Sequence, residues 1–305
     1  MDNDPLDCLI IGGGPAGLTA AIYLARFLLK VRVVDEGRSR AGLIPCTRNV
    51  PGFADGITGE DLLGRMRDQA EKYGVCFTRG RVTRLDPADG GFEVEWGEGA
   101  AMARTVLLAT GVRNRRPEMD ETLHDEALAL GALRYCPVCD GYEIMDSRVA
   151  VIGSGNHGTR EAEFLRGFTA DVTLIAPHAE HELNDDCRRR LEEAGVAIVS
   201  GPCGGYALDG KRLTLKTGGG RLAFDSVYPA LGSHIRSELA VAAGAAANPE
   251  GCLVVDDHAE TSVPGLFAAG DVVVGLDQIS NAMGQAGVAA TAIRNRLAEE
   301  RPLRR

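Results

Sequence analysis

Short apolar runs alternate with glycine-rich and helical segments along the chain, and the first such group has the order strand, turn, helix, strand. Residues 6–11 are apolar, residues 12–17 read Gly-Gly-Gly-Pro-Ala-Gly, residues 18–28 have a helical pattern, and the next apolar run ends in Asp35 and Glu36. A turn of this kind lets a pyrophosphate approach the backbone at a helix N-terminus, and an acid after the second strand binds a ribose. We therefore predict a dinucleotide-binding βαβ unit, with Asp35 or Glu36 as the ribose ligand.

The same pattern returns in the middle of the chain. The mainly apolar residues 148–152 lead into Gly-Ser-Gly-Asn-His-Gly at residues 153–158, a helix that reaches residue 168, and a further apolar run at residues 172–175. One glycine fingerprint is weak evidence, but two of them, each framed by strand and helix, are much stronger. The sequence therefore predicts an α/β fold with two Rossmann-like dinucleotide-binding domains.

Two further apolar runs end at glycine turns and indicate where the chain crosses between the domains. They are residues 106–111 and 227–232, and a basic or polar segment follows each of them, as expected at a domain crossing. After the second crossing, the pattern predicts a strand over residues 253–256, a turn and a strand within residues 261–271, and a helix over residues 282–297.

Composition and charge narrow the class of protein. A net charge of −10 and a pI near 5.2 argue against nucleic acid or an anionic membrane as a partner, because phosphate binding needs a basic face. Glycines interrupt the long apolar stretch of residues 8–29, so we expect no transmembrane helix. The start of the chain is acidic where a signal peptide would be basic, and six of the 8 cysteines are scattered singly. We therefore expect a cytoplasmic protein with mostly reduced thiols.

Cys136 and Cys139 are the one close pair of cysteines in the sequence. In a cytosolic chain this spacing indicates either redox chemistry or half of a metal site. A structural zinc site needs four ligands, and the nearest candidates, His178 and His181, lie in a polar segment that no pattern joins to the cysteines. We therefore expect a redox pair and no metal ligands.

Taken in order, these motifs resemble those of one family, the low-molecular-weight thioredoxin reductases, over almost the whole chain. The resemblance is carried by residues 12–17, Asn49-Val50-Pro51-Gly52, Ala109-Thr110-Gly111, Cys136-Pro137-Val138-Cys139-Asp140-Gly141, residues 153–158 and residues 261–271. It implies a flavoprotein in which the second dinucleotide domain is inserted into the first. The FAD-binding domain would comprise residues 1–112 and 240–305, and the inserted domain, residues 113–239, would carry the cysteine pair.

The resemblance also implies a role for each motif residue. The residues expected to hold FAD are Gly12, Gly14 and Gly17 at the pyrophosphate, Asp35 or Glu36 at the ribose, Thr110 and Gly111 in the Ala-Thr-Gly motif, Gly270 and Asp271 at the ribityl chain, and Asn49 and Gln278 beside the isoalloxazine. Cys139 is expected to face the flavin and Cys136 to attack the partner's disulfide, while Asp140 gives or takes the proton. Disulfide exchange requires a thiolate and a nearby proton carrier. We thus expect an FAD-dependent disulfide oxidoreductase.

The second nucleotide site departs from the pattern of the NADPH-using members. Those members follow the second glycine motif with a histidine and several arginines that hold the 2′-phosphate, whereas this chain has Glu180 and Glu182 there and no arginine before Arg188. A carboxylate beside a phosphate is repulsive, and Ala176 stands where an NADH-binding acid would be expected. NAD(P)H is therefore an uncertain cofactor, unless an arginine of the next helix supplies the phosphate contact.

Asp277 is a further departure, because typical members carry an arginine before the glutamine that is Gln278 here. Relatives that take electrons from ferredoxin, or that carry a second flavin, resemble this pattern, so a non-nicotinamide donor is an alternative. The leading hypothesis is an oxidoreductase acting on a thioredoxin-like protein or a small dithiol or disulfide, and the resemblance implies a homodimer. The alternatives are a dithiol oxidase that passes electrons to oxygen and a flavin redox sensor without turnover.

Overall fold

The computed structural model describes residues 4–300 and contains two mainly parallel sheets with helices packed against them. The strands are β1 Leu6–Ile11, β2 Val31–Asp35, β3 Cys76–Arg79, β4 Val82–Ala88, β5 Gly91–Trp96, β6 Gly99–Leu108, β7 Val112–Asn114, β8 Val149–Ile152, β9 Val172–Ile175, β10 Ala197–Val199, β11 Gly204–Asp209, β12 Arg212–Thr217, β13 Gly220–Phe224, β14 Ser226–Pro229, β15 Ser233–Ile235 and β16 Leu266–Ala268. The helices are α1 Pro15–Arg26, α2 Gly59–Lys72, α3 Glu121–Ala129, α4 Pro137–Asp140, α5 Gly155–Leu165, α6 Asp185–Glu193, α7 Glu238–Ala242 and α8 Ile279–Glu300, with 3₁₀ turns at Arg40–Leu43 and Gly141–Ile144. The α/β prediction with two Rossmann-like sheets is confirmed.

The two sheets differ in where their strands come from along the chain. The first has the order β3-β2-β1-β6-β5-β4, and β16 pairs in parallel with β6. The second, β10-β9-β8-β14, is wholly parallel and is accompanied by the antiparallel sheet β11-β12-β13. All strands of these last two sheets lie between β6 and β16 in the sequence. The domain boundaries at residues 112–113 and 239–240 stay a prediction.

The two connections between the sheets run side by side. β7 and β15 pair in antiparallel register, with Val112 opposite Ile235. Next to them, the Thr110 hydroxyl donates to the carbonyl of Arg236 at 2.5 Å, and the Arg236 N–H donates to the carbonyl of Gly111 at 3.0 Å. Thr110 and Gly111, which were predicted to contact FAD, are thus bonded to the returning connection.

The first sheet is buried on both faces, which explains why its strands are continuous apolar runs. Ile10, Val33 and Leu107 face one core, which is shared with α1 and α8. Their neighbours in sequence, such as Leu9 and Leu108, face a second core that includes the side chains of β4 and β5. This alternation follows from the two-residue period of a strand.

Helix α1 begins directly at the glycine turn and packs against α8. Its N-cap is Gly14 and its first residue is Pro15, whose missing N–H costs nothing at that position. The two helices meet through small buried side chains, which are Ala16, Ala20, Ala21 and Ala25 on α1 and Ala282, Ala286, Ala289 and Ala290 on α8. Small residues let the two backbones approach closely, so α8 is held over the glycine turn.

The prediction of a strand over residues 253–256 was wrong. Leu253 bonds to the carbonyl of Val272, whereas the N–H of Val254 bonds to the carbonyl of Ala246, so successive residues bond to different neighbours and no ladder forms. Within residues 261–271 only Leu266–Ala268 is a strand. The apolar pattern alone did not distinguish a strand from a buried loop.

We expect two helical glycines to respond oppositely to alanine. A Cβ on Gly17 would lie 2.0 Å from the carbonyl oxygen of Gly12, so Gly17→Ala should lower the free energy of unfolding by about 1–3 kcal/mol. Gly284, in α8, has open space around its Cβ position, so Gly284→Ala should raise it by roughly 0.5–1 kcal/mol. Urea unfolding followed by circular dichroism measures both, and equal effects would contradict the role of Gly17 in packing.

Candidate functional site

Three glycines of the first glycine turn were predicted to hold the pyrophosphate of FAD, and one of them leaves room for a ligand. A Cβ on Gly12 would lie 2.3 Å from the carbonyl oxygen of Ala109, so Gly12, like Gly17, is required by packing. A Cβ on Gly14 would meet one atom within 4 Å, the Ser39 hydroxyl at 3.2 Å. Gly14 therefore leaves the backbone at the N-terminus of α1 open to a diphosphate.

Of the two candidate ribose ligands, Asp35 faces this turn. Its carboxylate accepts hydrogen bonds from the N–H groups of Gly13 at 2.9 Å and Gly37 at 3.0 Å. Glu36 forms an ion pair with Arg236 at 2.8 Å instead. The geometry therefore favours Asp35 over Glu36 as the residue that could hold a ribose.

A cleft of about 280 Å³ extends from the turn between α1, β3 and α2. Its lining combines polar groups and apolar side chains, which are Gly13, Leu18, Asp35, Gly37, Ser39, Gly42, Glu60, Leu63, Gly64, Arg67 and Phe77. An open backbone at Gly14, a carboxylate at Asp35 and an adjoining cleft fit the diphosphate and ribose of FAD.

The end of β16 brings an acidic pair to the same side of the sheet. Gly270, which has φ +82, donates its N–H to the Gln285 side chain at 2.8 Å. Asp271 contacts the Arg40 guanidinium at 3.2 Å, and Asp277 contacts it at 2.9 Å. Burial raises the pKa of Asp271 to about 6, the charge of Asp277 adds to this rise, and Arg40 opposes it. Arg40 therefore lies between the carboxylates of Asp271 and Asp277, and the predicted contact of Asp271 with the ribityl chain stays a prediction.

Gln278 joins the predicted flavin residues to the cysteine pair. Asn49 donates to the Gln278 side-chain carbonyl at 2.9 Å. The Gln278 amide nitrogen lies 3.3 Å from the sulfur of Cys136 and 3.3 Å from the sulfur of Cys139. Four residues predicted separately, from three distant stretches of sequence, therefore meet at one place.

Cys136 and Cys139 form a disulfide across the single turn of α4. Cys136 is the N-cap of this turn, and its sulfur accepts the N–H of Cys139 at 3.1 Å. A backbone N–H aimed at sulfur favours the thiolate over the thiol when the disulfide is reduced. The local fold therefore suits Cys136 to the role of the attacking thiolate.

Asp140 lies directly after this pair and is mostly buried. Its carboxylate oxygens accept from Arg134 at 2.9 Å and from the Tyr228 hydroxyl at 2.8 Å. Burial raises the pKa of Asp140 above its ordinary value, while Arg134 and Tyr228 oppose that rise. An acid whose pKa is raised toward neutrality is suited to proton transfer.

The second glycine turn is partly covered by a neighbouring loop of the chain itself. The Ser154 hydroxyl accepts the N–H of Glu182 at 2.6 Å and lies 3.4 Å from His181 Nδ1. His181 is held through Nε2 at 2.9 Å from the carbonyl of Val199, and burial lowers its pKa. Glu182 and a neutral histidine thus occupy the place where a phosphate-binding loop would be expected.

Two arginines of α6 that could have supplied the missing phosphate contact are already paired. Arg189 contacts Asp186 at 2.6 Å and Glu193 at 2.9 Å. Arg190 donates to Glu163 at 2.8 Å. Arg188 is exposed and precedes them. Recruiting Arg189 or Arg190 to a nucleotide would require breaking these ion pairs.

Sequence reasoning missed three residues of the site: Arg40, Arg134 and Tyr228. Each contacts a predicted residue, but the contact from Arg40 to Asp271 spans 231 positions and that from Tyr228 to Asp140 spans 88. No local pattern marks such a residue. Arg134 is closer, six positions before Asp140. A buried acid beside a redox pair indicates that a cation lies nearby.

Residues 4–300 contain neither a metal-binding cluster nor a membrane-spanning helix. Among them, no group of three or more His, Cys, Asp and Glu side chains is arranged to hold a metal ion. In the same part of the chain, no helix combines the length and apolar character needed to cross a membrane.

Comparison with known proteins identifies relatives of this arrangement. The family model described as pyridine nucleotide-disulphide oxidoreductase matches residues 6–286. Thioredoxin reductase of Streptomyces coelicolor is 33% identical over 287 residues, which are 89% of this chain and 87% of that protein. An alkyl hydroperoxide reductase component of Xanthomonas campestris pv. phaseoli is 33% identical over 304 residues, which are 94% of this chain but 56% of that protein. The crystal structure of thioredoxin reductase from Streptococcus pyogenes MGAS5005 has a TM-score of 0.88 at 28% identity and covers 98% of this chain and 100% of that one.

Gly14→Val should abolish FAD binding without unfolding the protein. The added side chain would fill the space above the α1 N-terminus, whereas within the protein it meets one hydroxyl, that of Ser39. Flavin absorbance after purification and fluorescence titration with FAD measure binding, and urea unfolding of the apoprotein measures stability. A Gly14→Val protein that retains stoichiometric FAD would contradict this assignment, and Gly284→Ala serves as the control that keeps FAD.

Proposed function

The chain belongs to the pyridine nucleotide-disulphide oxidoreductases as an FAD-dependent enzyme of the thioredoxin reductase type, and we propose that it moves electron pairs between FAD and an external disulfide or dithiol. One observation carries the proposal. The Gln278 amide contacts both sulfurs of the disulfide and, through its carbonyl, Asn49. The redox pair is therefore adjacent to the residues that would surround the flavin ring.

Residues of this chain would divide the chemistry as follows. When bound, FAD supplies a carrier for two electrons and one proton. Cys139 would exchange electrons with it, and the reduced pair would present Cys136 as a thiolate to the external disulfide. A mixed disulfide between Cys136 and the partner forms as one partner sulfur leaves. Cys139 then attacks the sulfur of Cys136, so the Cys136–Cys139 disulfide forms again and the second partner sulfur leaves. Asp140 would carry the remaining proton.

The external substrate that best fits the proposal is a thioredoxin-like protein or a small disulfide or dithiol. Two alternatives use the same residues: a dithiol oxidase that passes electrons to oxygen, and a flavin redox sensor without turnover. Turnover with a disulfide acceptor distinguishes the first hypothesis from both alternatives. We propose the cytoplasm as the compartment, because exposed Cys76 and half-buried Cys46 and Cys252 are free thiols.

We also propose that the enzyme is a homodimer. The proposed FAD-binding domain exposes apolar side chains on packed helices: Tyr23 on α1, Phe27 and Leu28 after it, and Val288 on α8. Neighbouring exposed apolar groups of this kind are typical of protein interfaces. Sedimentation of the purified protein measures the mass of the particle.

A reductant other than NADPH is part of the proposal. The partly covered second turn, Glu182 and the pairing of Arg189 and Arg190 all disfavour a 2′-phosphate. Ferredoxin or another non-nicotinamide donor would not require that site.

Substitution of the two cysteines should separate their roles. Cys139→Ser should retain FAD but lose flavin reduction by dithiothreitol, because the sulfur that faces the ring is gone. Cys136→Ser should keep a thiolate at Cys139, visible as long-wavelength charge-transfer absorbance that grows with pH. Cys76→Ser, at an exposed free cysteine, is the control. Full reduction by dithiothreitol in both variants would show that the pair is not the redox centre.

NADPH should reduce the bound flavin far more slowly than dithionite, and NADH should have at most a modest advantage over NADPH. Loss of a bidentate arginine contact to phosphate costs about 1.5–3 kcal/mol, or roughly ten- to a hundredfold in affinity. Stopped-flow bleaching of the flavin measures each rate. Arg188→Ala should leave the slow NADPH rate unchanged, whereas fast, saturable bleaching by micromolar NADPH would overturn the prediction.

A further inference from the structure

Asp140 is held from one side by two donors that are themselves fixed. Tyr228, on β14, is fully buried and donates to one carboxylate oxygen, and Arg134 donates to the other. Arg134 is anchored in turn by Nε, which donates to the carbonyl of Gly131 at 2.9 Å and to the Ser226 hydroxyl at 3.2 Å. Neither donor can follow Asp140 far if its side chain turns. Both therefore favour the charged carboxylate in this one position.

Burial and one further acid act on Asp140 in the opposite sense. Burial raises the pKa of Asp140, and the charge of Glu143, in the 3₁₀ turn after α4, adds to that rise. Glu143 forms a long ion pair with Arg48 at 3.7 Å. On α5, burial raises the pKa of the mostly buried Glu161 to about 7, and the charge of Asp140 adds to that rise.

The structure thus places opposed influences on Asp140. Tyr228 and Arg134 stabilise the carboxylate by hydrogen bonds, while burial and the charge of Glu143 disfavour it. Tyr228 lies on β14, outside the Cys-x-x-Cys motif. Its replacement by phenylalanine removes one hydroxyl and keeps the ring.

We propose that Tyr228 is a positioning residue that sets the proton occupancy of Asp140 by holding its carboxylate. The proposal rests on the proposed function, because it assigns Asp140 the proton of thiol–disulfide exchange. Oxidation of the two protein thiols releases two electrons and two protons. Both electrons and one proton pass to the FAD, and the second proton goes to Asp140. In this direction the reaction requires the ionised carboxylate.

One variant and one matched control test the proposal in the FAD-loaded protein. The variant is Tyr228→Phe. The control is Tyr206→Phe, which removes a hydroxyl that contacts Cys203 instead. The rate of flavin bleaching by dithiothreitol is measured across pH for each protein. The titration of dithiothreitol itself is common to all of them and cancels in the comparison.

The variant should move the acidic limb of the profile to higher pH. Loss of the Tyr228 hydrogen bond raises the pKa of Asp140, so the rate rises at a pH higher by roughly one unit. The control should overlay the wild type. A shift to lower pH, no shift, or an equal shift in the control would overturn the proposal.

A second measurement does not depend on turnover. The carboxyl ¹³C resonance of Asp140, assigned by its loss in Asp140→Asn, is titrated in the oxidised wild-type protein and in Tyr228→Phe. Its midpoint should move up in Tyr228→Phe, and an unchanged midpoint would refute the assignment. If dithiothreitol does not bleach the wild-type flavin, the proposed function fails, while this titration still decides whether Tyr228 controls Asp140.

Discussion

The contact between the Gln278 amide and both sulfurs of the disulfide is the interaction on which the redox centre depends. An N–H···S contact of 3.3 Å between neutral groups is weak. Its geometry must therefore be imposed by larger elements, which are α8, packed on α1, and the paired connections β7 and β15. The same N–H becomes a charge-assisted donor when a sulfur is a thiolate. Reduction should thus strengthen a contact that the fold has already positioned.

The electrostatics on both sides of the disulfide favour proton transfer near neutral pH. On the side of α5, Asp140 and Glu161 lie in a poorly solvated region. On the side of the proposed FAD site, Asp271 and Asp277 both contact one cation, Arg40. In each region carboxyls outnumber the cations that contact them, so burial outweighs pairing at Glu161 and Asp271 and their pKa values rise. The pKa is about 6 for Asp271 and about 7 for Glu161. A two-electron centre that must gain and lose protons benefits from acids that titrate in this range.

The parts of the fold that could be predicted are those specified by local pattern. Apolar runs and glycine spacing predict both glycine turns, the parallel strands beside them and the last helix, α8. The antiparallel strands β11–β13 were not predicted, because each has only 5 or 6 residues and no glycine fingerprint accompanies them. At the site, the motif residues that meet at Gln278 were predicted through resemblance. Arg40, Arg134 and Tyr228 were not, because pairing of buried charges depends on which distant segments the fold brings together.

The second glycine turn shows why a fingerprint identifies a fold more reliably than a ligand. A Cβ on Gly153 would lie 2.9 Å from that of Ala230, and a Cβ on Gly158 would lie 3.0 Å from the carbonyl carbon of Gly153. These glycines are required by the packing of β8, α5 and β14, whether or not a nucleotide binds. The residues that would recognise a phosphate lie outside the turn, in the loop after β9, where Glu182 bonds to Ser154. The loop can therefore change with the electron donor while the glycine fingerprint is kept. The loop, and not the fingerprint, indicates which electron donor the protein uses.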